Sequence, residues 1–167
     1  MLFSSIPFLY YFLPSVLILY FLVPQKLKNT VLLISSLVFY GWGEPKYVIM
    51  MVASIIIGFV SGLLIEATNE KSKKKLILTI NIIINLGFLG FFKYSNFFIE
   101  NFNSVTGLSL NLLNVALPIG ISFYTFQILS YAVDVYRGTV KAQKNLINLA
   151  TYITMFPQLI AGPIVRY

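Results

Sequence analysis

The chain has 167 residues, of which 58% are hydrophobic and 10% charged, with a net charge of +7 and neither Cys nor His. Ordinary globular domains carry roughly 25% charged residues, so a water-soluble fold is excluded. The composition points to an all-α, polytopic transmembrane bundle, with residues 1–167 forming a single membrane domain. Without Cys or His there can be no disulfide, thiolate nucleophile, Ser-His-Asp triad or H-E-x-x-H zinc helix. The five acids, Glu44, Glu66, Glu70, Glu100 and Asp134, are scattered, so neither a paired-carboxylate site nor a metal is expected.

An apolar run of about 18 residues is needed to cross a hydrocarbon layer ~30 Å thick, and six membrane segments can be drawn. The first, residues 6–23, contains Pro14 and is closed by Pro24. It lacks a basic leader and an A-x-A site, so it is expected to be a retained span and not a signal peptide. The second, residues 30–42, is only about 20 Å long at 1.5 Å per residue and needs its flanks to cross. GWGEP, residues 41–45, is expected to be the next turn, with Gly41, Trp42 and Gly43 releasing one helix and Pro45 opening another. The third segment, residues 47–67, holds Gly58 and Gly62 in a G-x-x-x-G spacing that permits close helix approach but is weak evidence alone. In the fourth, residues 76–99, FFKYSNFF clusters aromatics around Lys93, as in an interfacial belt with a snorkelling lysine. A polar stretch over 100–114 leads to the fifth segment, residues 117–136, and the sixth, residues 146–165.

The basic residues fall in alternate gaps. Lys26 and Lys28, then Lys71, Lys73, Lys74 and Lys75, then Arg137, Lys141 and Lys144 lie on one side, against Lys46 alone on the other. Under the positive-inside rule this places the N-terminus outside and those three gaps in the cytoplasm. The charge is therefore explained by orientation, and nucleic acid is not an expected partner. EKSKKK, residues 70–75, either touches anionic lipid headgroups or is a solvated loop that sets orientation.

Two stretches carry polar groups that lipid does not stabilise. In the fifth segment Gly120, Tyr124, Gln127, Tyr131 and Asp134 recur every three or four residues and so share a helix face, with Phe126, Leu129 and Val133 opposite. Gln127 lies at mid-depth, so this face must meet protein or water. Two alternatives stand: interhelical polar glue, or the wall of a substrate passage. Asp134 and Arg137 are expected to form a helix-surface pair. In the sixth segment Pro157 and Pro163 remove backbone donors and Gly162 weakens the helix, with Gln158 at the break. A broken segment is tolerated only against protein or a wet cavity, although a simple proline kink gives the same pattern.

FYGWGEPKY (39–47), GFFKYSNFF (90–98), LPIGISFYTFQILSYAVDVYRG (117–138) and FPQLIAGPIVRY (156–167) resemble, in that order, the N-terminal part of bacterial membrane-bound O-acyltransferases. The branch is that of the alginate O-acetylation proteins. The likeness implies a multi-pass enzyme of the bacterial cytoplasmic membrane. It implies transfer of an acyl group, acetyl above all, from an acetyl-CoA or acyl-carrier thioester to a surface polysaccharide or an extracytoplasmic partner protein. Gly41, Trp42, Gly43, Asp134, Arg137, Gly162, Pro163 and Arg166 fall in its motifs as structural positions. The passage candidates are Tyr124, Gln127, Tyr131, Pro157 and Gln158. The family's essential histidine has no counterpart here, so no catalytic residue is assigned. The expectation is an N-terminal fragment, inactive alone, of a longer acyltransferase. The competing expectation is a non-catalytic small transporter or scaffold.

Overall fold

A computed structural model describes residues 5–43, 45–113 and 117–161, with side chains as far as Leu159. Among the described residues all regular structure is helical. A π-helical stretch, Phe8–Phe12, feeds α1 (Leu13–Leu22), and a short 3-10 turn leads to α2 (Lys28–Gly43), α3 (Pro45–Ala67) and α4 (Lys71–Thr106). The chain closes through α5 (Ile121–Arg137), α6 (Leu146–Thr154) and α7 (Phe156–Ala161). Helices α3 and α4 are long and apolar enough to cross a bilayer.

The exterior carries many large apolar side chains, and polar side chains share the core with apolar ones. Ile49, Leu64, Leu76, Ile83 and Leu86 are exposed, while Ser36, Ser54, Asn81, Asn85, Gln127 and Thr154 are buried. Helix α4 shows this most simply: its buried residues are Asn81, Asn85 and Leu89, four apart, with Ile80 and Ile83 outside. Such a helix is stable only where hydrocarbon or further protein covers its outer face.

The core lies between α3 and α5. A Cβ on Gly58 would lie 2.7 Å from Cγ2 of Ile128, and one on Gly62 would lie 2.6 Å from the Tyr131 hydroxyl. The G-x-x-x-G pair thus receives the bulk of α5, and α3 carries Met51, Ile55 and Ile65 into the same buried cluster. Helix α4 packs against both α3 and α5, and α6 against α2. The α2–α6 contact is pinned by Asn29, whose side-chain amide donates to Asn148 at 2.9 Å, and by Thr151, whose hydroxyl reaches the Asn29 carbonyl at 2.9 Å. A second cluster joins the N-terminus to α2 and α7: Phe8, Phe12, Phe39 and Phe156 stack with ring centroids 5.2–5.7 Å apart.

Several expected boundaries shift. Helix α2 starts at Lys28 and runs through Gly41 and Trp42 to Gly43, and α3 opens at Pro45, so four of the five GWGEP residues are helical; Glu44 lies outside the described residues. Sixteen residues give about 24 Å, closer to a crossing length than thirteen. Helix α4 starts within the lysine cluster and continues to Thr106, where Gly107 caps it at φ 71°; the polar stretch from Glu100 is therefore helical at first. The sixth segment is not one kinked helix. Helix α6 stops at Thr154, Met155 turns out at φ −51°, ψ 112°, and α7 begins at Phe156. Pro157 sits in the first turn of α7, where a missing N–H leaves no intrahelical bond unmade. Gly162, Pro163 and Arg166 lie outside the described residues.

Beyond α4 the chain returns along the helix it has just left. Asn103 donates to the Leu110 carbonyl at 2.9 Å and accepts from its N–H at 3.0 Å; Asn96 does the same for Leu113 at 3.0 and 2.9 Å. Seven helical residues rise about 10.5 Å and three extended ones about 10 Å, so the two clamps fall in register.

Candidate functional site

The polar face of α5 is buried against the bundle. Tyr124, Gln127 and Tyr131 are 2%, 1% and 0% exposed, while Phe126 on the opposite side is 46% exposed. Gly120 caps the helix at φ 73°, a left-handed conformation that favours glycine. A Cβ there would sit 3.0 Å from the Leu159 carbonyl oxygen. The head of the stripe therefore rests on α7, the short helix that carries Pro157 and Gln158. The structure brings these two stretches together at Gly120–Leu159. Gln127 lies two turns, about 10 Å, farther along α5.

The stripe divides by role. Tyr131 is a pillar: Gly62 makes room for its ring, and its hydroxyl accepts the Gln143 N–H at 3.0 Å, anchoring the connection to α6. Glu66 fastens the same connection from α3 by accepting the Ala142 N–H at 3.1 Å. Asp134 is half-buried and its carbonyl caps the helix end through the Thr139 N–H at 3.0 Å. It forms no ion pair with Arg137. The ion pair described is Lys73–Glu70 at 2.9 Å. A glycine turn follows Arg137 directly, with Gly138 at φ 75°, and the arginine is exposed. Pro157 is exposed and Gln158 half-buried.

Gln127 differs from its neighbours. Its Oε1 is buried with no hydrogen-bond partner, as is Nε2 of Gln158. An unsatisfied buried polar atom costs ~1–3 kcal/mol, so neither glutamine is explained as finished structural glue within these residues. Both hold spare hydrogen-bonding capacity, Gln158 in the first turn of α7 after the break and Gln127 about 10 Å along α5.

Sequence reasoning missed a second polar pair of the same kind. On α4 the Asn85 side-chain amide donates to Asn81 Oδ1 at 2.6 Å and to the Asn81 carbonyl at 3.0 Å. Asn81 Nδ2 and Asn85 Oδ1 remain without partners. Two amides one turn apart inside an apolar run carry the signal already applied to Gln127, and it was legible at residues 81 and 85. Among the described residues no group of acidic, His or Cys side chains could hold a metal ion.

An apolar exterior, two helices of crossing length and buried amides on α4 and α5 within an otherwise apolar core fit a helical membrane protein. No protein-family model and no solved structure matches the chain. Curated relatives do match it, along its whole length. It is 41% identical over 172 residues to a probable alginate O-acetylase of Pseudomonas syringae and 40% identical to that of Pseudomonas aeruginosa. It is 32% identical over 196 residues to the peptidoglycan O-acetyltransferase of Helicobacter pylori. The likeness to the alginate O-acetylation branch of the membrane-bound O-acyltransferases is thus shown for all of the chain. The chain spans about a third of those relatives' own length, 33% of the two alginate proteins and 37% of the peptidoglycan enzyme.

Proposed function

We propose that this chain is part of a membrane O-acyltransferase that moves an acyl group, acetyl above all, from a cytoplasmic thioester donor to a polysaccharide of the cell envelope. The observation that carries the reading is about 40% identity along the entire chain to proteins named as O-acetylases. The donor is acetyl-CoA or an acyl-carrier thioester; the acceptor is a surface glycan or an extracytoplasmic protein that relays the group. The chain sits in the cytoplasmic membrane as six membrane segments with the N-terminus outside, a topology supported by the segregation of Lys and Arg. With no histidine among these residues, the base that activates the acceptor hydroxyl comes from elsewhere in the full-length enzyme. Helices α3, α4 and α5 form the scaffold. Gln127 and Gln158 border the passage, a role supported by their unpartnered buried atoms.

A chimera tests this. In the Pseudomonas aeruginosa alginate O-acetylase, the matching third is replaced by this chain, and ester-linked acetate on secreted alginate is measured. Acetate well above the level of a deletion lacking that third is expected. A chimera present in the membrane at parental abundance, with acetate no higher than the deletion, overturns the reading.

A further inference from the structure

The lysine cluster is left unexplained by acyl transfer, and its place in the fold is electrostatically awkward. Lys71, Lys73, Lys74 and Lys75 occupy the opening turns of α4, where the helix dipole presents partial positive charge and disfavours cations. Glu70 does not cap the helix through its side chain, and it neutralises Lys73 alone, at 2.9 Å. That pair is exposed on both sides and weak, so Lys73 can exchange it for another anion, and among the described residues Lys71, Lys74 and Lys75 have no carboxylate partner. Charge segregation requires basic residues on this side of the bilayer, but it does not require them at the positive end of a helix.

Directly below them runs a groove of about 320 Å³ between α3 and α4. Ile57, Val60 and Leu64 line one wall and Ile77, Ile80 and Asn81 the other. Lys73 and Lys74 precede Ile77 by four and three residues, so they stand one turn above it on the same face of α4. From Leu64 to Ile57 the groove follows α3 for about 10 Å. Val60 and Ile80 are nearly half exposed, so the groove opens sideways to the surrounding hydrocarbon. A cationic rim over an apolar channel of this kind matches an anionic phospholipid, with phosphate above and one acyl chain below.

We propose that α3 and α4 form a seat for one anionic phospholipid, its headgroup held by Lys73 and Lys74 and an acyl chain lying against Val60 and Ile80. The seat rests on the membrane-spanning reading of α3 and α4 but not on acyl transfer. The bound anion relieves the repulsion among the lysines and their conflict with the helix dipole, so it fixes the N-terminus of α4 at the membrane surface. Zwitterionic lipid fills the groove equally well but leaves the lysines uncompensated, and so binds less tightly.

The protein is reconstituted in bilayers of phosphatidylcholine with one-fifth phosphatidylglycerol, extracted in mild detergent, and weighed intact with its retained lipid. Partition of each variant into bilayers, checked beforehand, separates failure of the membrane reading from failure of the seat. Wild type is expected to retain one phosphatidylglycerol in preference to phosphatidylcholine. Lys73→Gln with Lys74→Gln lowers that retention about tenfold. Val60→Phe, which keeps every charge but fills the groove from an exposed position, lowers it by a similar factor. Normal retention in Val60→Phe overturns the proposal, because the lysines then attract headgroups without a seat. Normal retention in the lysine variant overturns it equally. If the groove is covered by another helix or a second copy, wild type shows no preference for phosphatidylglycerol, and the proposal fails.

Discussion

The contact between α3 and α5 permits a quantitative test at Gly58. A methyl added there would lie 2.7 Å from Ile128 Cγ2, at least 0.7 Å inside the ordinary contact range that begins at 3.4 Å. Ile128 is fully buried, and a β-branched side chain on a helix has one strongly preferred rotamer, so it cannot swing aside. The helices must part, and such overpacking costs about 1–3 kcal/mol. Alanine also favours the helix over glycine by ~1 kcal/mol. That gain is common to any helical glycine, so it is removed by comparison with Gly87 and Gly90 on α4, where an added Cβ meets nothing within 4 Å. Gly58→Ala is therefore expected to be about 2 kcal/mol less stable than Gly87→Ala or Gly90→Ala, read from denaturant-driven unfolding in mixed micelles. Adding Ile128→Ala removes the offending Cγ2, so the two changes should couple favourably by at least ~1 kcal/mol. Additivity within ~0.5 kcal/mol would show that the close approach is not what glycine provides there.

Gln127→Leu removes a buried acceptor that has no partner. It should leave stability unchanged or raise it by up to ~1 kcal/mol, while slowing acetyl transfer by the full-length protein at least about tenfold; wild-type rates at matched abundance return the residue to helix packing. Gln158→Leu follows the same expectation for its unpartnered Nε2. Single cysteines at Ser72 and Ser109, both exposed in a chain without native cysteine, should react with impermeant maleimide from opposite faces of sealed vesicles; reaction from the same face refutes the six-segment topology. Asn96→Ala with Asn103→Ala breaks both clamps on the returning segment and should open residues 108–113 to protease at concentrations that leave wild type intact, with cutting unchanged if the clamps do not hold it.

Helix existence was legible wherever apolar runs were long, because the bilayer requirement acts on length and composition together. Ends were less legible. Helix α4 continues to Thr106 through polar residues that stay helical with their side chains bonded to carbonyls four residues earlier, as in Asn101, Ser104 and Thr106, an arrangement that hydropathy does not register. The break at Met155 was placed on the proline two residues later, since proline is a visible breaker and a turned-out methionine is not. The α5 face followed from spacing alone, but the different fates of Tyr131 and Gln127 did not. Tyr131 is satisfied by an N–H twelve residues away, from Gln143, which only the folded loop supplies. The pair Asn81 and Asn85 was readable by the rule that applies to Gln127, since an amide inside an apolar run needs a partner that lipid cannot provide. The Phe8–Phe12–Phe39–Phe156 cluster joins residues far apart in sequence, and no local pattern announces it.

The two asparagine clamps have a consequence for how this sequence can vary in length. The chain climbs along α4 at about 1.5 Å per residue and comes back at about 3.3 Å, so the match of seven residues to three is arithmetic and leaves no slack. Deleting one residue between Leu110 and Leu113 shifts one clamped backbone position by about 3.3 Å, so only one clamp can close. Deleting one residue between Gly107 and Leu110 shortens the bend and leaves both pairings available. The segment therefore works as a tape measure: length changes are tolerated at the bend around Gly107 and disfavoured between the clamps.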